Sequence, residues 1–561
     1  MTDPATATIP HRAPDQVMRL SRLGSLHQCR LSFMRQLTRR MAAEGWTFSR
    51  PVFDIDGNGV GRAVYVAQGP RHAYSLVAFA HDLPDDLRSD RVIAEAWDAT
   101  FALYDGIPTD EDLDRLERNV PLQEAGRIAD SELSLSRANR SVRLWAHVVD
   151  NLAAGRQPDP AEIAMVGYLM RTTAVYGSGK FGAADRDKIA NRPEMQAPFQ
   201  AEMLSVWLTR TFVRDLIEHI ARSKGGDKAV ALDPAIARLL GIGNSTGLGM
   251  APFLLNHPVL FNNWIMAREE AIARVRSLPA ATTAEAELFR ELLQRCQVLV
   301  DGWQSDHPVQ QAKLKDLHRD LARLTGQAEG DITNNHPWDR LVAWSETALS
   351  EEGQEFLASL ILEPYPDLVD GLGGCMADSA PDAFRIDGAM TVKTLRDLLN
   401  QTYGWAFALD WTSPETIARA WYTSEEKLEP RLGERFEEPI GDYEQPLAPA
   451  RDAAAAHAAL AGWPDDTPVA EFLLRHPEHR HTVRRAQIAR IAPYGEIRDN
   501  TIAADLLPID MLRAKLSFFG ATRFDPRSDR WVRITMYQGA PYPEDLSPET
   551  ADLWVYPEAP S

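Results

Sequence analysis

Leu204, Leu208, Phe212, Leu216 and Ile220 place an apolar side chain at every fourth position of one segment. That spacing lines all five along one stripe of an α-helix and fits no strand, whose side chains alternate with a period of two. Val142, Trp145, Val149 and Leu152 follow the same rule, as do Leu288, Leu292, Cys296 and Leu299, and again Leu314, Leu317, Leu321 and Leu324. Ile93, Trp97, Phe101 and Tyr104 also fall at helical spacing and are read the same way. Each stripe needs a face to bury against, so helices packed on helices are the expected core.

Strand signals are fewer. Residues 60–68 (VGRAVYVAQ) and 73–80 (AYSLVAFA) are β-rich runs joined by Gly69-Pro70-Arg71-His72, which predicts a hairpin. Phe53-Asp54-Ile55-Asp56 ahead of Gly57-Asn58-Gly59 adds a third antiparallel strand, and residues 531–537 (WVRITMY) alternate as a strand near the end of the chain, either within a small unit there or joined to the N-terminal hairpin sheet. The expected fold class is therefore mainly α: a multi-helix core with a small N-terminal antiparallel β hairpin or sheet and a minor α+β C-terminal unit. With 561 residues the chain exceeds what one core holds. The expected organisation is a disordered tail over 1–16, an α+β unit with the hairpin over 17–110, a helical core carrying two glycine-rich turns over 111–330, a helical unit over 331–424, an acidic proline-rich linker or arm over 425–452, and a small α+β unit over 453–561.

Charge narrows the partners. There are 80 acidic against 60 basic residues, a formal charge of −20, and no long basic run. Such a chain repels phosphate backbones and anionic membranes, so neither nucleic acid nor membrane is an expected partner. Cys29, Cys296 and Cys375 form no CxxC pair and suit a reducing compartment. The first fifteen residues lack an apolar core of the signal-peptide kind, and no long apolar run occurs. A cytoplasmic location is expected.

Two segments carry the polar chemistry. In 170–186 (MRTTAVYGSGKFGAADR), Gly177, Gly179 and Gly182 fit G-x-G-x-x-G. A dinucleotide turn needs a strand before the motif and a long helix after it. Here the stretch from Ala161 reads as helix at least as well as strand, and Asn191-Arg192-Pro193 soon interrupts any helix beyond the motif. Phe181 after Lys180 excludes a Walker A loop. No cofactor is assigned. The segment still holds a set of anion-binding groups: glycine N–H groups such as that of Gly179, the cations Arg171, Lys180 and Arg186, and the hydroxyls of Tyr176 and Ser178. The second segment, 241–264, sets Asn244, Ser245 and Thr246 among four glycines ahead of an apolar run holding His257, Asn262 and Asn263. Either segment also works as a plain connection between helices, with its glycines capping and its polar groups solvated.

Other clusters are weaker. His81-Asp82, with Arg91 and Glu95 beyond, offers an acid/base pair or a capped turn, and residues 136–141 (SRANRS) offer an anion grip or a helix start. His476, Glu478, His479 and His481 invite a metal, but Pro477 breaks the helical i,i+4 pairing and Arg480, Arg484 and Arg485 repel a cation, so no structural metal is expected.

The functional expectation is an enzyme of small-molecule metabolism that binds an anionic, carboxylated substrate where the two glycine-rich turns meet. Lys180 and Tyr176 carry the catalytic roles, and Arg171, Ser178, Gly179, Asn244, Ser245, Thr246 and His257 bind substrate. Proton abstraction beside a carboxylate, as in a lyase, is the reaction class such a cation-rich polar site suggests. The alternatives are a non-enzymatic helical scaffold and a nucleotide-dependent oxidoreductase, the latter requiring a strand before Gly177.

Overall fold

The computed structural model describes residues 8–88, 96–122, 129–176, 191–244, 257–303, 308–376, 385–413, 448–498, 515–521 and 533–556, with short pieces at 189, 422–423, 430–431 and 523–525. The chain forms two compact units, each assembled from separate stretches.

One unit takes residues 27–246, 294–306 and 516–561. Its strands are β1 (Thr47–Ile55), β2 (Gly61–Gln68), β3 (Ala73–Ala80), β4 (Ala99–Asp105), β5 (Glu132–Arg140), β6 (Tyr168–Tyr176), β7 (Gly241–Asn244), β8 (Arg523–Asp525) and β9 (Arg533–Met536). They form one nine-stranded sheet in the order β1-β2-β3-β4-β5-β6-β7-β9-β8. Every neighbouring pair is antiparallel except β6 and β7, which run parallel. Its longer helices are α1 (Phe33–Ala43), α2 (Asp110–Asn119), α3 (Val142–Ala153) and α4 (Gln200–Gly225).

The fold class expected from sequence is corrected here. The β component is not a small hairpin but a sheet that organises the whole unit, and the C-terminal strand founds no unit of its own: β9 pairs with β7 through Ile534–Asn244, Thr535–Gly243 and Met536–Ile242. The reason lies in burial. β4 is covered on both faces, so Phe101 and Tyr104 sit in a run of apolar residues without alternation, and a spacing of three or four can be found in any such run. Trp97 likewise lies outside any helix, just ahead of β4, and residues 89–95, with Ile93, lie outside the described residues. Residues 136–141 do lie next to a helix start, since α3 opens at Val142 with Ser141 as its cap residue, but 136–140 themselves are the end of β5.

The stripe on α4 is buried as its spacing requires. It covers one face of the sheet, where Phe212 meets the edges of Tyr65 and Phe101 at ring-centre distances of 6.3 and 5.5 Å. The opposite face is covered by α2, whose Leu113 and Leu116 pack with Val64, Val77, Phe79, Ala102 and Leu135. Besides the pairing of β9, a carboxylate ties the C-terminal stretch to the same unit: Asp552 receives Arg30, Arg35 and Arg39 at 2.8, 2.9 and 2.9 Å. Burial alone would raise its pKa, but the three guanidiniums outweigh that and hold the carboxyl far below its ordinary range.

The other unit, residues 1–26, 247–293 and 307–515, is helical. Its helices include α5 (Pro258–Arg276), α6 (Pro308–Asp331), α7 (Pro337–Ala348), α8 (Glu351–Leu360), α9 (Val392–Phe407), α10 (Ala448–Ala459), α11 (Val469–Arg475) and α12 (Arg480–Ile491). The last four share a core around Leu395, Leu399, Ala453, Phe472 and Val483. The N-terminal stretch is tied to α5 and α8 by ion pairs. Arg12 grips Glu269 with two bonds of 2.8 Å and reaches Glu355 at 2.7 Å. Arg268 and Arg22 also meet Glu355. Burial pushes the Glu355 carboxyl up, but Arg12 and Arg268 prevail and bring it down to about 2. Among the described residues no helix is long and apolar enough to cross a membrane.

Candidate functional site

The expected site residues fall into three groups. Arg171 and Tyr176 lie on β6 and Asn244 closes β7. Ser178, Gly179, Lys180, Ser245 and Thr246 lie outside the described residues. His257 precedes α5 and belongs to the helical unit.

Strand pairing makes the first group neighbours but does not put them on one face: Arg171 shares a face with Gly243, and Asn244 shares the opposite one with Thr172. A strand does precede Gly177, and it lies beside the strand that precedes Ser245: Arg171 stands opposite Gly243 and Thr172 opposite Asn244, in parallel register. The chain therefore leaves β6 and β7 in the same direction, within a few residues of the same level. Asn244 donates its amide to Thr172 Oγ1 at 3.4 Å, and both side chains are buried.

The glycines of β7 have a packing role. A Cβ on Gly243 would stand 2.7 Å from the Tyr168 ring and 2.8 Å from Arg171 Cγ, and one on Gly241 would stand 2.3 Å from the Met536 carbonyl oxygen. Bare backbone at Gly243 is what lets Tyr168 and the stem of Arg171 lie close against β7.

Arg171 also stands opposite Asn139 of β5, and Thr100 of β4 stands opposite Arg137. Alternation places Thr100, Arg137, Asn139 and Arg171 on the face opposite α4. Thr100 is 1 % exposed, Asn139 3 % and Arg171 5 %. Among the described residues, the Thr100 hydroxyl and the Asn139 amide nitrogen on this face have no hydrogen-bond partner. Asn139 is held by its oxygen, which accepts from the Asp98 N–H at 3.1 Å, and Arg137 lies over the Trp97 ring at 4.3 Å. Asp98 in turn is fully engaged, accepting from Arg88 Nε at 2.9 Å and from the Arg140 N–H at 2.8 Å. Burial would lower the Arg88 guanidinium, but its bond to Asp98 and the charges of Asp98 and Asp85 raise it. The corner thus presents hydroxyl, amide and guanidinium donors, the equipment for an oxygen-rich anion.

His81 and Asp82 do not form an acid/base pair here. The His81 carbonyl accepts from Arg140 and its N–H donates to the Asp98 carbonyl, while exposed Asp82 faces Arg88 at 3.7 Å. Burial lowers the His81 imidazole against the opposing pull of Asp98. Arg91 and Glu95 lie outside the described residues.

A second polar concavity leaves no mark in the sequence. A groove of about 460 Å³ between β1, β2 and α4 is lined by Arg50, Tyr65, Arg214, Asp215, His219 and Glu544 among others. Asp215 accepts from Tyr65 Oη at 2.9 Å, from Arg50 and from Arg214, and Arg214 also meets Glu544. Burial pushes the Tyr65 phenol up, and the Asp215 carboxylate adds to it. His219 Nε2 donates to the Asp56 carbonyl at 2.9 Å. These charges largely satisfy one another, as in a structural network. No local pattern announces the groove, because its members come from two strands, one helix and the C-terminal stretch.

Comparison with family models, with curated proteins and with solved structures returns no match for this chain.

Proposed function

We propose that the sheet unit binds a small anion, carboxylate or phosphate in chemistry, where the chain leaves β6 and β7. The observation that carries this reading is the parallel adjacency of those two strands. It starts residues 177–182 and 245–249, the two glycine-rich stretches, from neighbouring points of one sheet. In open α/β sheets ligands collect outside the carboxyl ends of parallel strands, and β6 with β7 is the pair among the described strands that offers such ends side by side. The unpartnered donors of Thr100 and Asn139 and the buried Arg171 supply the chemistry. Lys180 and Tyr176 are the groups for proton transfer next to a substrate carboxylate, the step of a lyase.

The test is a thermal-shift panel on the whole chain: mono-, di- and tricarboxylates, inorganic phosphate, pyrophosphate, ADP and NAD. A true ligand at about a hundred times its Kd stabilises by roughly 2.7 kcal/mol. One class should raise the Tm, and Lys180→Ala should abolish that rise while leaving the unliganded Tm unchanged. If no member of the panel stabilises the protein, the scaffold reading takes its place.

The nucleotide-dependent oxidoreductase is kept as a second reading because β6 does precede Gly177 and is joined through α4 to a parallel neighbour, β7. One feature weighs against it: the second strand ends on Asn244, where a ribose-binding carboxylate is wanted. A Tm rise with NAD that phosphate and carboxylates do not reproduce selects this reading over the first.

A further inference from the structure

The corner between α11 and α12 gathers three metal-type donors. His476 ends α11, Pro477–His479 make a single 3-10 turn, and His479 opens α12. Residues three apart eclipse one another in a 3-10 turn. His476 and His479 accordingly stack, with ring centres 6.1 Å apart and planes 29° from parallel. Phe472 backs both rings, at 5.0 Å from His476 and 6.0 Å from His479, and Trp463 meets His476 edge-on at 6.1 Å. Glu478 Oε1 lies 3.2 Å from His476 Nδ1 and 3.8 Å from His479 Nε2. One donor atom from each of the three residues falls within 4.8 Å of the others.

We infer that this corner is a divalent-metal site of the zinc class, liganded by His476, Glu478 and His479. Two imidazoles with one carboxylate favour zinc and its transition-metal neighbours over magnesium or calcium, which want oxygen. Donors about 2.0–2.2 Å from zinc stand roughly 3–4 Å apart, so the side chains close slightly on the ion. Glu478, 59 % exposed, has the freedom to do so. The aromatic backing from Phe472 and Trp463 orients the imidazoles before the ion arrives. Arg475 is drawn to the Trp463 ring at 5.1 Å. Three protein ligands leave a position for water, so the ion exchanges with solvent and is not a structural element of the fold. The sequence argues against a metal because Pro477 breaks an i,i+4 helical pair and because Arg480, Arg484 and Arg485 repel a cation; of these, Arg485 is paired with Glu496 at 2.7 Å. The same proline opens the 3-10 turn in which the i,i+3 pair comes together.

Equilibrium dialysis of the whole, untagged chain against zinc chloride, read by elemental analysis, tests the site, with calorimetric titration for affinity. The wild type should bind a single equivalent at this site. His479→Ala and Glu478→Gln should each lose it, by more than the roughly 10–100-fold that a mere outer-shell partner costs. Magnesium should not compete. Circular dichroism checks that the variants remain folded: Glu478 is exposed, whereas His479 is 13 % exposed and packs on Phe472, so Glu478→Gln is the variant that leaves the packing untouched. Wild-type protein that binds no zinc overturns the assignment. So does a folded His479→Ala variant that binds as much zinc, as tightly, as the wild type.

Discussion

At the scale of single residues, glycine is the clearest case of one signal with two physical meanings. Gly241 and Gly243 belong to a segment whose glycine content suggests a ligand-holding turn. Both instead serve strand packing, since a Cβ at either would meet its nearest neighbour at 2.3 or 2.7 Å. Gly243→Ala should therefore lower stability by about 1–3 kcal/mol, the usual cost of overpacking, measured as a drop in urea midpoint. Gly404, inside α9, has nothing within 4 Å of the same position, so Gly404→Ala should stabilise by about 0.5–1 kcal/mol in the same assay. A Gly243→Ala variant as stable as the wild type would remove the packing account. Glu355 gives a pH prediction. Its folded value, about 2, lies below the ordinary carboxylate range of about 4.3. The stabilisation it contributes is thus complete above about pH 4.3 and lost as pH falls toward 2. Glu355→Gln should cost about 3–5 kcal/mol at neutral pH, because Arg12 and Arg268 lose their buried counter-charge. Its Tm should then fall less than that of the wild type on acidification across that window. Equal slopes in the two proteins would place the acid sensitivity elsewhere.

At the scale of elements, legibility follows how regular the local pattern is, since α4 keeps its rhythm although residues 200–213 are buried all round. The helix α4 is readable because one face of its early turns follows a strict four-residue rhythm. The hairpin β2–β3 is readable because its turn chemistry is local. The strands β4 and β5 are hidden because both of their faces are buried, and β6 because its residues suit helix and strand equally. The adjacency of β6 and β7 is a long-range pairing that no local pattern encodes, so Arg171 and Asn244 stand out in the sequence for their chemistry and not for their neighbourhood. The cap of α2 is a local device and can be tested as one. Thr109 accepts from the Asp112 N–H at 3.2 Å while Asp112 accepts from the Thr109 N–H at 3.0 Å. Thr109→Ala should cost about 1 kcal/mol in denaturant unfolding. No change in midpoint would mean that α2 is held by its apolar face alone.

At the scale of the whole molecule, the two units are interleaved along the chain, so neither can be obtained by a single cut. A fragment spanning residues 27–246 keeps β1 through β7 but lacks β8 and β9, leaving the backbone groups of β7 unpaired on one side. Open strand edges template aggregation. That fragment should elute from a sizing column as aggregate, and a monodisperse, folded fragment would show that β9 is dispensable. The pairing of β9 with β7 also sets a clock on synthesis. Asn244 leaves the ribosome long before its partner Ile534 is made. At about 5–20 residues per second the wait is on the order of tens of seconds. Throughout it a growing chain carries an unfinished sheet with a sticky margin, so this protein should depend on chaperones that shield nascent strands, and slowing translation late in its message should cost more yield than slowing it early.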